Sequence, residues 1–475
     1  MSDETLTPDL CVIGASAAGA ALAAAAAANG LSVVLIEPQG AGDRRLHCAG
    51  LGVHAFAAVA RSIHEVRQAA RFGLGAMQPE IDFARVRELV VKKLADLSQN
   101  ESDARLTGIG VRVIEGDARF VDARTLTIDG REIRARRFVL AAASVPVVPQ
   151  IAGLARARHF TSDTILDLHE SVRHLIVIGA GSTGLALAQS FRRLGADVTV
   201  LDGAAPLHDE DSECSAVVLG ALARERVIIH SGVAIERVEG KKGSVRVTLV
   251  SAGEEQSIEG THLLIAAGRR TPVEGLGLEL AGIELDSGVV SVGSNLRTTN
   301  SRVFAIGDAA GGWDAPHAAR WQARLVLGNL LFRFPVRSMA DRIPRFTATD
   351  PELAHVGLRE DEARRQHRRI RILRAPFFEN DRAEIEREGK GMIKLVTARS
   401  GRIVGATMVG VGARELIGTY ALAVARRMNV RNFINPLFPY PSRGEIGQQA
   451  ALGDFASGLT NRWVQRIMKT MRLFD

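Results

Sequence analysis

Two glycine-rich segments, each placed between a strand pattern and a helix pattern, constrain the fold of this chain more than any other feature. In the first, the apolar run Leu10–Ile13 is followed by Gly14–Gly19, of sequence GASAAG, and then by a run of alanines. In the second, His174–Ile178 is followed by Gly179–Gly184, of sequence GAGSTG, and by a helical pattern over Leu185–Leu194. A strand, a tight turn and a helix in this order predict a βαβ unit, so two α/β domains are expected.

Both turns have the residues that a site for dinucleotide phosphates requires. The first glycine allows the tight turn, the third position must be small so that the backbone can approach a pyrophosphate, and the helix N-terminus attracts phosphate charge. In the two turns these positions are filled by Gly14, Ser16, Gly19, Gly179, Gly181 and Gly184. One such turn is weak support for nucleotide binding, but two copies in one chain favour it strongly.

An acidic residue follows the second strand of each unit and predicts a contact with ribose. Ser32–Ile36 is followed by Glu37, and Asp197–Leu201 is followed by Asp202. A carboxylate at this position accepts hydrogen bonds from the ribose diol. Residues 203–207 contain no Arg or Lys that would hold a 2′-phosphate, so the second site is predicted to prefer NADH to NADPH.

A third strand pattern supports a flavin nucleotide as the first ligand. The run Val303–Ile306 leads into Gly307 and Asp308. An aspartate after such a strand can accept hydrogen bonds from a polyol chain such as the ribitol of FAD, although an ordinary turn would have the same sequence. Two glycine turns followed by this Gly-Asp pair favour the FAD interpretation.

Five further segments extend the pattern over nearly the whole chain. They lie within Gly116–Phe120, Leu140–Pro146, Ala267–Pro272, Ile343–Gly357 and Gly405–Ile417. With both glycine turns, these segments resemble the class I pyridine nucleotide-disulfide oxidoreductases, nearest to the branch of dihydrolipoamide dehydrogenase and mercuric reductase. On the strength of this resemblance, Ala118, Ser144, Gly268 and Gly307 are also candidate cofactor-binding residues.

The resemblance also implies three domains and a homodimer. It implies an FAD-binding domain formed by residues 1–150 and 271–339, an NAD-binding domain at 151–270 and a dimerisation domain at 340–475. The fold class would be α/β, with two Rossmann-like dinucleotide-binding domains and a C-terminal α+β domain. That last domain would complete the active site of the partner subunit.

The redox position of the family is altered in this sequence. The family pattern is Cys-x4-Cys beside the flavin, whereas this chain has Cys11, Cys48 and Cys214 far apart. Aligning Gly52 with the glycine before the second cysteine places Cys48 first and Val53 second, and an alternative alignment makes Cys48 the second cysteine. No second thiol is near Cys48 in sequence under either alignment, so the usual dithiol cycle is not expected.

Cys48 itself has two interpretations. It is either a small buried side chain, as cysteine often is, or a single redox thiol that forms a sulfenic acid or a mixed disulfide. Arg44, Arg45, His47 and His54 would lower its pKa if they pointed toward it. Widely spaced cysteines argue against a disulfide framework and against a zinc site, so no metal is predicted.

Two positions that form an ion pair in the family are apolar here. Ala57 stands at the position of the family's lysine, and Ala186 stands at the position of the glutamate that pairs with it. Replacing both partners of a buried ion pair can be nearly neutral, whereas removing one costs about 3–5 kcal/mol. The double replacement therefore indicates a coherent change of the site.

The far side of the expected site is represented by Tyr440 and Glu445. Lipoamide dehydrogenases have His and Glu at this spacing, and mercuric reductase has Tyr in place of the His. Tyrosine has an ordinary pKa near ~10, so Tyr440 is expected to donate a hydrogen bond or to position an acceptor. Mercury reduction is not favoured, because residues 461–475 contain no cysteine pair.

The net charge of +7 is not organised as a nucleic-acid-binding surface, because no block of Lys or Arg is interleaved with aromatic residues. The acidic, polar start of the chain does not resemble a signal peptide, so a cytoplasmic protein is predicted. The basic, amphipathic segment Arg462–Phe474 is expected either to pack on the dimer or to contact a membrane surface.

Together these features predict an FAD-dependent oxidoreductase that passes hydride from NADH to the flavin and on to an acceptor without a dithiol relay. The acceptor would be a quinone, a small disulfide, a metal ion or a protein, and the candidate catalytic residues are Cys48, Tyr440 and Glu445. A low-turnover subunit that binds flavin or senses NADH is the first alternative. A disulfide or metal reductase that uses Cys48, with a second thiol from Cys214 or a partner, is the weaker one.

Overall fold

The computed structural model describes residues 5–38, 50–98, 102–241, 243–311, 315–339, 342–459 and 470–471. Cys48 and most of Arg462–Phe474 lie outside this range, so the predictions made for them stay predictions. The chain divides into two compact units, of which one comprises residues 1–179, 194–196 and 235–339. The other comprises residues 180–193, 197–234 and 340–475.

Eleven α-helices occur in the described residues, and they alternate with strands as the glycine turns predicted. In chain order they are α1 Ala17–Ala28, α2 Leu51–Gln68, α3 Phe83–Ser98, α4 Asp103–Gly108, α5 Ser182–Arg193, α6 Ser212–Arg224, α7 Pro316–Phe332, α8 Glu360–Gln366, α9 Asp381–Ile385, α10 Ala413–Ala425 and α11 Ile446–Leu459.

The strands of the described residues are shorter on average than the helices. They are β1 Leu10–Ile13, β2 Val33–Glu37, β3 Val111–Glu115, β4 Ala118–Phe120, β5 Leu126–Ile128, β6 Arg131–Ile133, β7 Arg137–Leu140, β8 Val145–Pro146, β9 Phe160–Thr161, β10 His174–Ile178, β11 Asp197–Asp202, β12 Ile228–Ser231, β13 Ala234–Lys241, β14 Ser244–Ser251, β15 Glu254–Gly260, β16 His262–Ile265, β17 Arg269–Arg270, β18 Leu285–Asp286, β19 Val289–Val290, β20 Val303–Ala305, β21 Arg345–Thr347, β22 Glu352–Gly357, β23 Ile370–Pro376, β24 Met392–Ala398 and β25 Ile403–Gly410.

The first unit contains a five-stranded parallel sheet of the kind that the first glycine turn predicted. Its strand order is β20-β7-β1-β2-β3, and Leu10 of β1 lies opposite Val33 of β2 and Arg137 of β7. Hydrophobic clusters on both faces bury β1 along its whole length. The alanines of α1 allow close packing on one face, where they share a core with α7.

A second set of parallel strands and a short ribbon complete the part of the first unit that concerns the site. β16 pairs in parallel with β10 and with β9. The ribbon pairs β8 with β17, so that Val145 lies opposite Arg270 and Pro146 lies opposite Arg269. This pairing brings the segments around Ser144 and Gly268 side by side, although they are distant in sequence.

The second unit contains the parallel pair β11–β12 and a five-stranded antiparallel sheet of order β21-β22-β25-β24-β23. Every residue of β25 is buried, and both α6 and α10 contact this strand. An antiparallel sheet with helices packed on it is the α+β architecture predicted for the C-terminal part. With the parallel sheets, it confirms the predicted fold class.

Element boundaries differ from the sequence prediction by a few residues. The helix predicted over Leu185–Leu194 begins earlier, at Ser182, and ends at Arg193. The last three residues of the glycine turn, Ser182–Gly184, thus already belong to the helix. Glu37 and Asp202 are the last residues of their strands and do not lie beyond them.

Candidate functional site

The first glycine turn is packed so tightly that side chains cannot replace its glycines. Gly14 has φ 102°, and a Cβ added to it would lie 2.6 Å from the backbone of Ala142. A Cβ on Gly19 would lie 2.3 Å from the carbonyl oxygen of Gly14. Ser16 caps α1 by accepting a 3.3 Å hydrogen bond from the amide of Gly19 at its Oγ. These contacts fit a turn whose backbone is to approach a phosphate closely.

Glu37 ends a strand of the five-stranded sheet, and Ala118 begins the separate three-stranded sheet that follows β3 in the chain. Glu37 is fully buried at the end of β2, and its carbonyl oxygen accepts a 2.9 Å hydrogen bond from the amide of Gly116. Ala118 follows at the start of β4 and is also buried. The structure therefore brings together the predicted ribose-binding carboxylate and the segment that resembles the family's adenine side.

Asp308 is held by Ser144 through two hydrogen bonds to one carboxylate oxygen. Its Oδ2 accepts from the amide of Ser144 at 2.9 Å and from the Ser144 hydroxyl at 2.6 Å. The carbonyl oxygen of Asp308 accepts a further bond from the hydroxyl of Thr271 at 2.8 Å. Both bonds from Ser144 are to Oδ2 and, among the described residues, none of this kind is to Oδ1, so one carboxylate oxygen is available as an acceptor for a polyol.

Arg269 supports this arrangement, and the sequence reasoning did not select it. Its Nε donates to the Ser144 hydroxyl at 2.9 Å, and its Nη2 donates to the Ser144 carbonyl at 2.7 Å. Its Nη1 also forms a 2.6 Å ion pair with Asp163, and both side chains are mostly buried. Arg269 follows Gly268, which has φ 100°, and the segment Ala267–Pro272, which carries part of the family resemblance, was the signal that could have identified it.

Gly307 completes the neighbourhood of Asp308 with a conformation that requires glycine. Its φ is 62°, and an added Cβ would lie 2.9 Å from the Cβ of Ala319 in α7. Its amide donates a 2.7 Å hydrogen bond to Oε1 of the buried Gln322. The residues around the first turn and Asp308 therefore fit the phosphates and the polyol of FAD, since the close approaches and the free acceptor are both present.

The second glycine turn is constrained at its first position and open at its third. Gly179 has φ 114°, and an added Cβ would lie 2.2 Å from the carbonyl oxygen of Ala266. A Cβ on Gly181 would meet no atom within 4 Å. Gly184 is buried in the first turn of α5. The backbone at Gly181 is thus accessible, as the approach of a pyrophosphate requires.

Asp202 accepts hydrogen bonds from one backbone amide in the second turn and from another in the loop after β11. Its Oδ2 accepts from the amide of Ala180 at 2.6 Å, and its Oδ1 accepts from the amide of Ala204 at 2.8 Å. A carboxylate oxygen can accept more than one hydrogen bond, so Asp202 retains capacity for a ribose hydroxyl. The two bonds fix the carboxylate at the end of β11.

The helix that follows Cys48 is firmly packed, although Cys48 itself lies outside the described residues. α2 begins at Leu51, after Gly50 with φ 67°. An added Cβ at Gly52 would lie 2.9 Å from the side chain of Leu166. Phe56 is fully buried and stacks on Phe83 of α3 at a centroid distance of 6.5 Å. Val53 is 6% exposed, so an apolar side chain suits its position.

The two cysteines that the structure describes are both buried thiols. Cys11 lies in β1 and Cys214 lies in α6, and each is 0% exposed. Burial raises the pKa of both thiols far above the ordinary range, because a thiolate would be desolvated there. Neither thiol has the exposed, electropositive surroundings that make a cysteine nucleophilic.

Alanines occupy the two positions of the family's ion pair, and both lie within packed helices. Ala186 is 1% exposed in α5, and its carbonyl oxygen accepts a 2.7 Å hydrogen bond from Ser190 Oγ. Ala57 lies half-buried on α2. A lysine or glutamate is therefore absent from both positions, and each helix is packed without it.

Tyr440 and Glu445 have hydrogen-bond partners other than each other. Tyr440 is 74% exposed and donates a 2.8 Å hydrogen bond to Oδ2 of Asp381 at the start of α9. That bond to a carboxylate raises the pKa of Tyr440 above its ordinary value. Glu445 accepts a 2.9 Å hydrogen bond from the amide of Ser442. No bond between Tyr440 and Glu445 occurs in the described part of the chain, and sequence reasoning missed Asp381.

The described ranges have neither a cluster of metal ligands nor a helix that could span a membrane. No group of three or more His, Cys, Asp or Glu side chains there is arranged to hold a metal ion. None of the helices seen in those ranges has both the length and the apolar surface needed to cross a bilayer.

The chain has two glycine turns of the dinucleotide-binding kind and, in its C-terminal part, an antiparallel sheet. A family model described as pyridine nucleotide-disulphide oxidoreductase matches residues 8–323, and the model of that family's dimerisation domain matches residues 343–451. The chain therefore belongs to the pyridine nucleotide-disulphide oxidoreductase family. The resemblance identified from the sequence is confirmed.

Relatives of known activity match over nearly the whole chain. The mercuric reductase of Streptomyces lividans is 30% identical over 464 residues, with 93% of this chain and 95% of the relative covered. The dihydrolipoyl dehydrogenase of Thermus scotoductus is 31% identical over 460 residues, with 94% and 97% covered. The structure of the HOCl-induced flavoprotein disulfide reductase RclA of Escherichia coli matches with a TM-score of 0.80 and 25% identity, covering 94% of this chain and 99% of that one.

The family membership establishes the class of reaction and the cofactors. Members of this family are NAD(P)H-dependent flavoprotein oxidoreductases that bind FAD and a pyridine nucleotide. The chain is therefore an enzyme of that class, and the cofactor prediction is confirmed. The match to the dimerisation domain supports a homodimer.

Proposed function

We propose that this enzyme transfers hydride from NADH to FAD and passes the electrons from the flavin to its acceptor without a dithiol relay. The observation that carries the proposal is the state of the cysteines. The chain has three, and the two that the structure describes, Cys11 and Cys214, are fully buried in a strand and a helix. A thiol buried in this way is a poor partner for Cys48 in a dithiol relay, and this supports the proposal.

The paired loss of the family's ion pair supports the same proposal. With Ala57 and Ala186 in place of the lysine and the glutamate, no charged group of that pair is left buried alone. A chain that had lost only one partner would bear a cost of about 3–5 kcal/mol. A site rebuilt at both positions suits continued function with different chemistry.

Each candidate residue has a proposed role in holding the cofactors. Gly14, Ser16, Gly19, Glu37, Ala118, Ser144, Gly268, Gly307 and Asp308 would bind FAD, and Gly179, Gly181, Gly184 and Asp202 would bind NADH. FAD supplies the capacity to accept a hydride and to release electrons. Holding each nucleotide in a fixed position would be the main contribution of the protein to the hydride step. We assign these sites to an FAD domain at 1–150 and 271–339 and an NAD domain at 151–270.

The acceptor would be an oxidant that reacts at the flavin or at the single thiol of Cys48. A quinone, a small disulfide, a metal ion and a protein all fit this description. The relatives are named for different substrates, so their names do not select an acceptor. Tyr440, held by Asp381, would position the acceptor, with Glu445 beside it in the domain at 340–475. We expect the enzyme to act in the cytoplasm, and we keep a membrane contact by the segment Arg462–Phe474 as a hypothesis.

Stopped-flow mixing of the purified flavoprotein with NADH in the absence of oxygen tests the proposal. Fast bleaching of the flavin in both the wild type and the Cys48→Ser variant is expected, because neither hydride transfer nor flavin binding uses the thiol. Bleaching that takes minutes in both proteins would favour a protein that binds the nucleotides with little turnover. Fast bleaching with acceptor reduction lost in Cys48→Ser would place the thiol in the electron path.

A further inference from the structure

The loop after Asp202 has an unusual backbone conformation. Residues 203–211 connect β11 to α6, and within them Leu207 has φ 51° and is buried. A leucine in the left-handed region is rare and costs free energy, so contacts around it must impose the conformation. The contacts that do so are hydrogen bonds to two different parts of the second unit.

A series of three hydrogen bonds runs from the second glycine turn to the C-terminal sheet. The amide of Leu207 donates to the carbonyl oxygen of Ala180 at 3.1 Å, inside the turn itself. The amide of Glu210 donates to the carbonyl oxygen of Leu207 at 2.8 Å. Nε of Arg345, the first residue of β21, then donates to Oε1 of Glu210 at 3.1 Å.

The attachment to the C-terminal sheet is built from charged and buried groups. The side chain of Glu210 is 10% exposed, so its carboxylate depends on Arg345 as a counter-charge. Arg345 also donates from Nη2 to the carbonyl oxygen of Asp209 at 3.0 Å. Nη1 of Arg359, which precedes α8, donates to the same carbonyl oxygen. Two guanidinium groups from the C-terminal part therefore hold two consecutive loop residues.

We infer that Arg345 is a positioning residue for the pyridine nucleotide, acting through Glu210 and Leu207 on the turn at Ala180. The inference rests on the proposed role of the second turn and Asp202. Ala180 also donates its amide to Asp202, so the turn, the ribose-binding carboxylate and the loop form one hydrogen-bonded group. Without Arg345, the loop loses the counter-charge of Glu210 and one of the two guanidinium groups that hold Asp209, and the protein must order the loop more fully when the nucleotide binds.

Calorimetric titration of the FAD-loaded, full-length protein with NAD⁺ tests the inference. We expect Arg345→Met to weaken NAD⁺ binding at least about fivefold, the lower end of ordinary coupling between sites. Arg365→Met is the matched control, since it removes the same charge from an exposed pair with Asp361 in which the side chains are 68% and 55% exposed. The control is expected to bind NAD⁺ as the wild type does.

Two further variants separate positioning from general damage. Glu210→Ala is expected to weaken NAD⁺ binding as Arg345→Met does, and the double variant is expected to be no worse, because the two residues act through one contact. Arg345→Lys keeps a cation and should recover part of the affinity. In steady state, KM for NADH should rise while kcat and the bound FAD stay near the wild-type values. Glu210→Ala and Arg345→Lys carry the test if Arg345→Met does not fold.

The outcomes distinguish this inference from the proposed function. A wild-type protein that binds no NAD⁺ or NADH would overturn the proposed function itself. A wild type that binds NAD⁺, with Arg345→Met and Glu210→Ala binding equally well, would overturn the inference alone. An equal loss of affinity in the Arg365→Met control would also overturn it, since the effect would then follow from charge and not from the loop.

Discussion

The two glycine turns and the positions of the family's ion pair differ in how the structure constrains them. At Gly14 and Gly179, backbone atoms lie 2.6 Å and 2.2 Å from where a Cβ would be, so no other residue fits. At Ala57 and Ala186, side chains of another kind have been accepted and the helices around them are packed. The residue type at Gly14 and Gly179 is fixed by backbone geometry. The residue type at the ion-pair positions is set by side-chain chemistry alone. The first kind of constraint resists change, and the second permits a new reaction on an old fold.

The largest effect is expected at Asp308, and it would sharpen the comparison on the side of the nucleotide sites. Asp308→Ala removes the acceptor of both hydrogen bonds from Ser144 and the proposed polyol contact. Hydrogen bonds to charged groups are worth about 1.5–3 kcal/mol each, so FAD affinity should fall at least about tenfold. The flavin absorbance of the purified protein measures this. Asp286→Ala, at an exposed site of the same unit, should stay yellow; a fully yellow Asp308→Ala would contradict the assignment.

A pair of alanine substitutions in the second turn tests whether backbone geometry is the constraint. Gly179→Ala should lower stability by about 2–5 kcal/mol, because of its φ of 114° and the carbonyl of Ala266. Gly181→Ala should leave the thermal midpoint unchanged, since its Cβ meets no atom within 4 Å, but should weaken NAD⁺ binding. Calorimetric melting and NAD⁺ titration measure the two effects. Equal thermal midpoints for Gly179→Ala and Gly181→Ala would contradict the claim that backbone geometry constrains only the first of these positions.

A buried histidine of the C-terminal sheet gives an intermediate effect that depends on pH. His355 is 2% exposed and bonds to Thr407 Oγ1 at 2.8 Å and to the Gly357 carbonyl at 2.9 Å. Burial lowers the pKa of His355 to about 4 from an ordinary value near ~6.5. The unfolded chain therefore binds a proton that the folded chain does not between these values. Its stabilising contribution is complete above about pH 6.5 and decreases by about 3 kcal/mol as pH falls to about 4.

Thermal melting between neutral pH and pH ~4 measures this contribution. His355→Gln has no group that titrates there, so its midpoint should fall less steeply with acid than that of the wild type. A shallower fall for His355→Gln would show that burial constrains the residue type at His355, as backbone geometry does at the glycine turns. Parallel slopes for the two proteins would show that His355 titrates normally.

The smallest effect is expected at Tyr440, which is proposed to position the electron acceptor. Tyr440→Phe removes one hydrogen bond to Asp381 that is exposed to solvent, so its effect on stability should be small. Since that bond raises the pKa of Tyr440, the residue stays protonated at neutral pH and cannot serve as a base there. Flavin reduction by NADH should be unchanged. A titration near neutral pH in acceptor reduction that disappears in Tyr440→Phe would contradict this role.

Local patterns predicted the parts of the molecule that depend on neighbouring residues. The strands Leu10–Ile13 and His174–Ile178 occur at the predicted positions, because each precedes a turn whose glycines are recognisable in sequence. Glu37 and Asp202 were found for the same reason. Their roles as ligands of ribose stay predictions.

Contacts between distant residues could not be predicted in this way. Arg269 lies 106 residues from Asp163 and 125 residues from Ser144, and neither separation leaves a periodic trace. Asp381 was missed as the partner of Tyr440 because α9 has only five residues and no motif. The loop contacts of Arg345 were missed for the same reason, since ion pairs between elements depend on the packing of the elements.

The number of NADH molecules that the purified flavoprotein consumes without oxygen tests the central claim most directly. A flavin that works without a dithiol takes up the hydride of one NADH, so titration should end at one NADH per FAD with no new thiols. An endpoint at two NADH per FAD, with two new thiols per chain on titration with a thiol reagent, would show that a disulfide is reduced. That result would contradict the account.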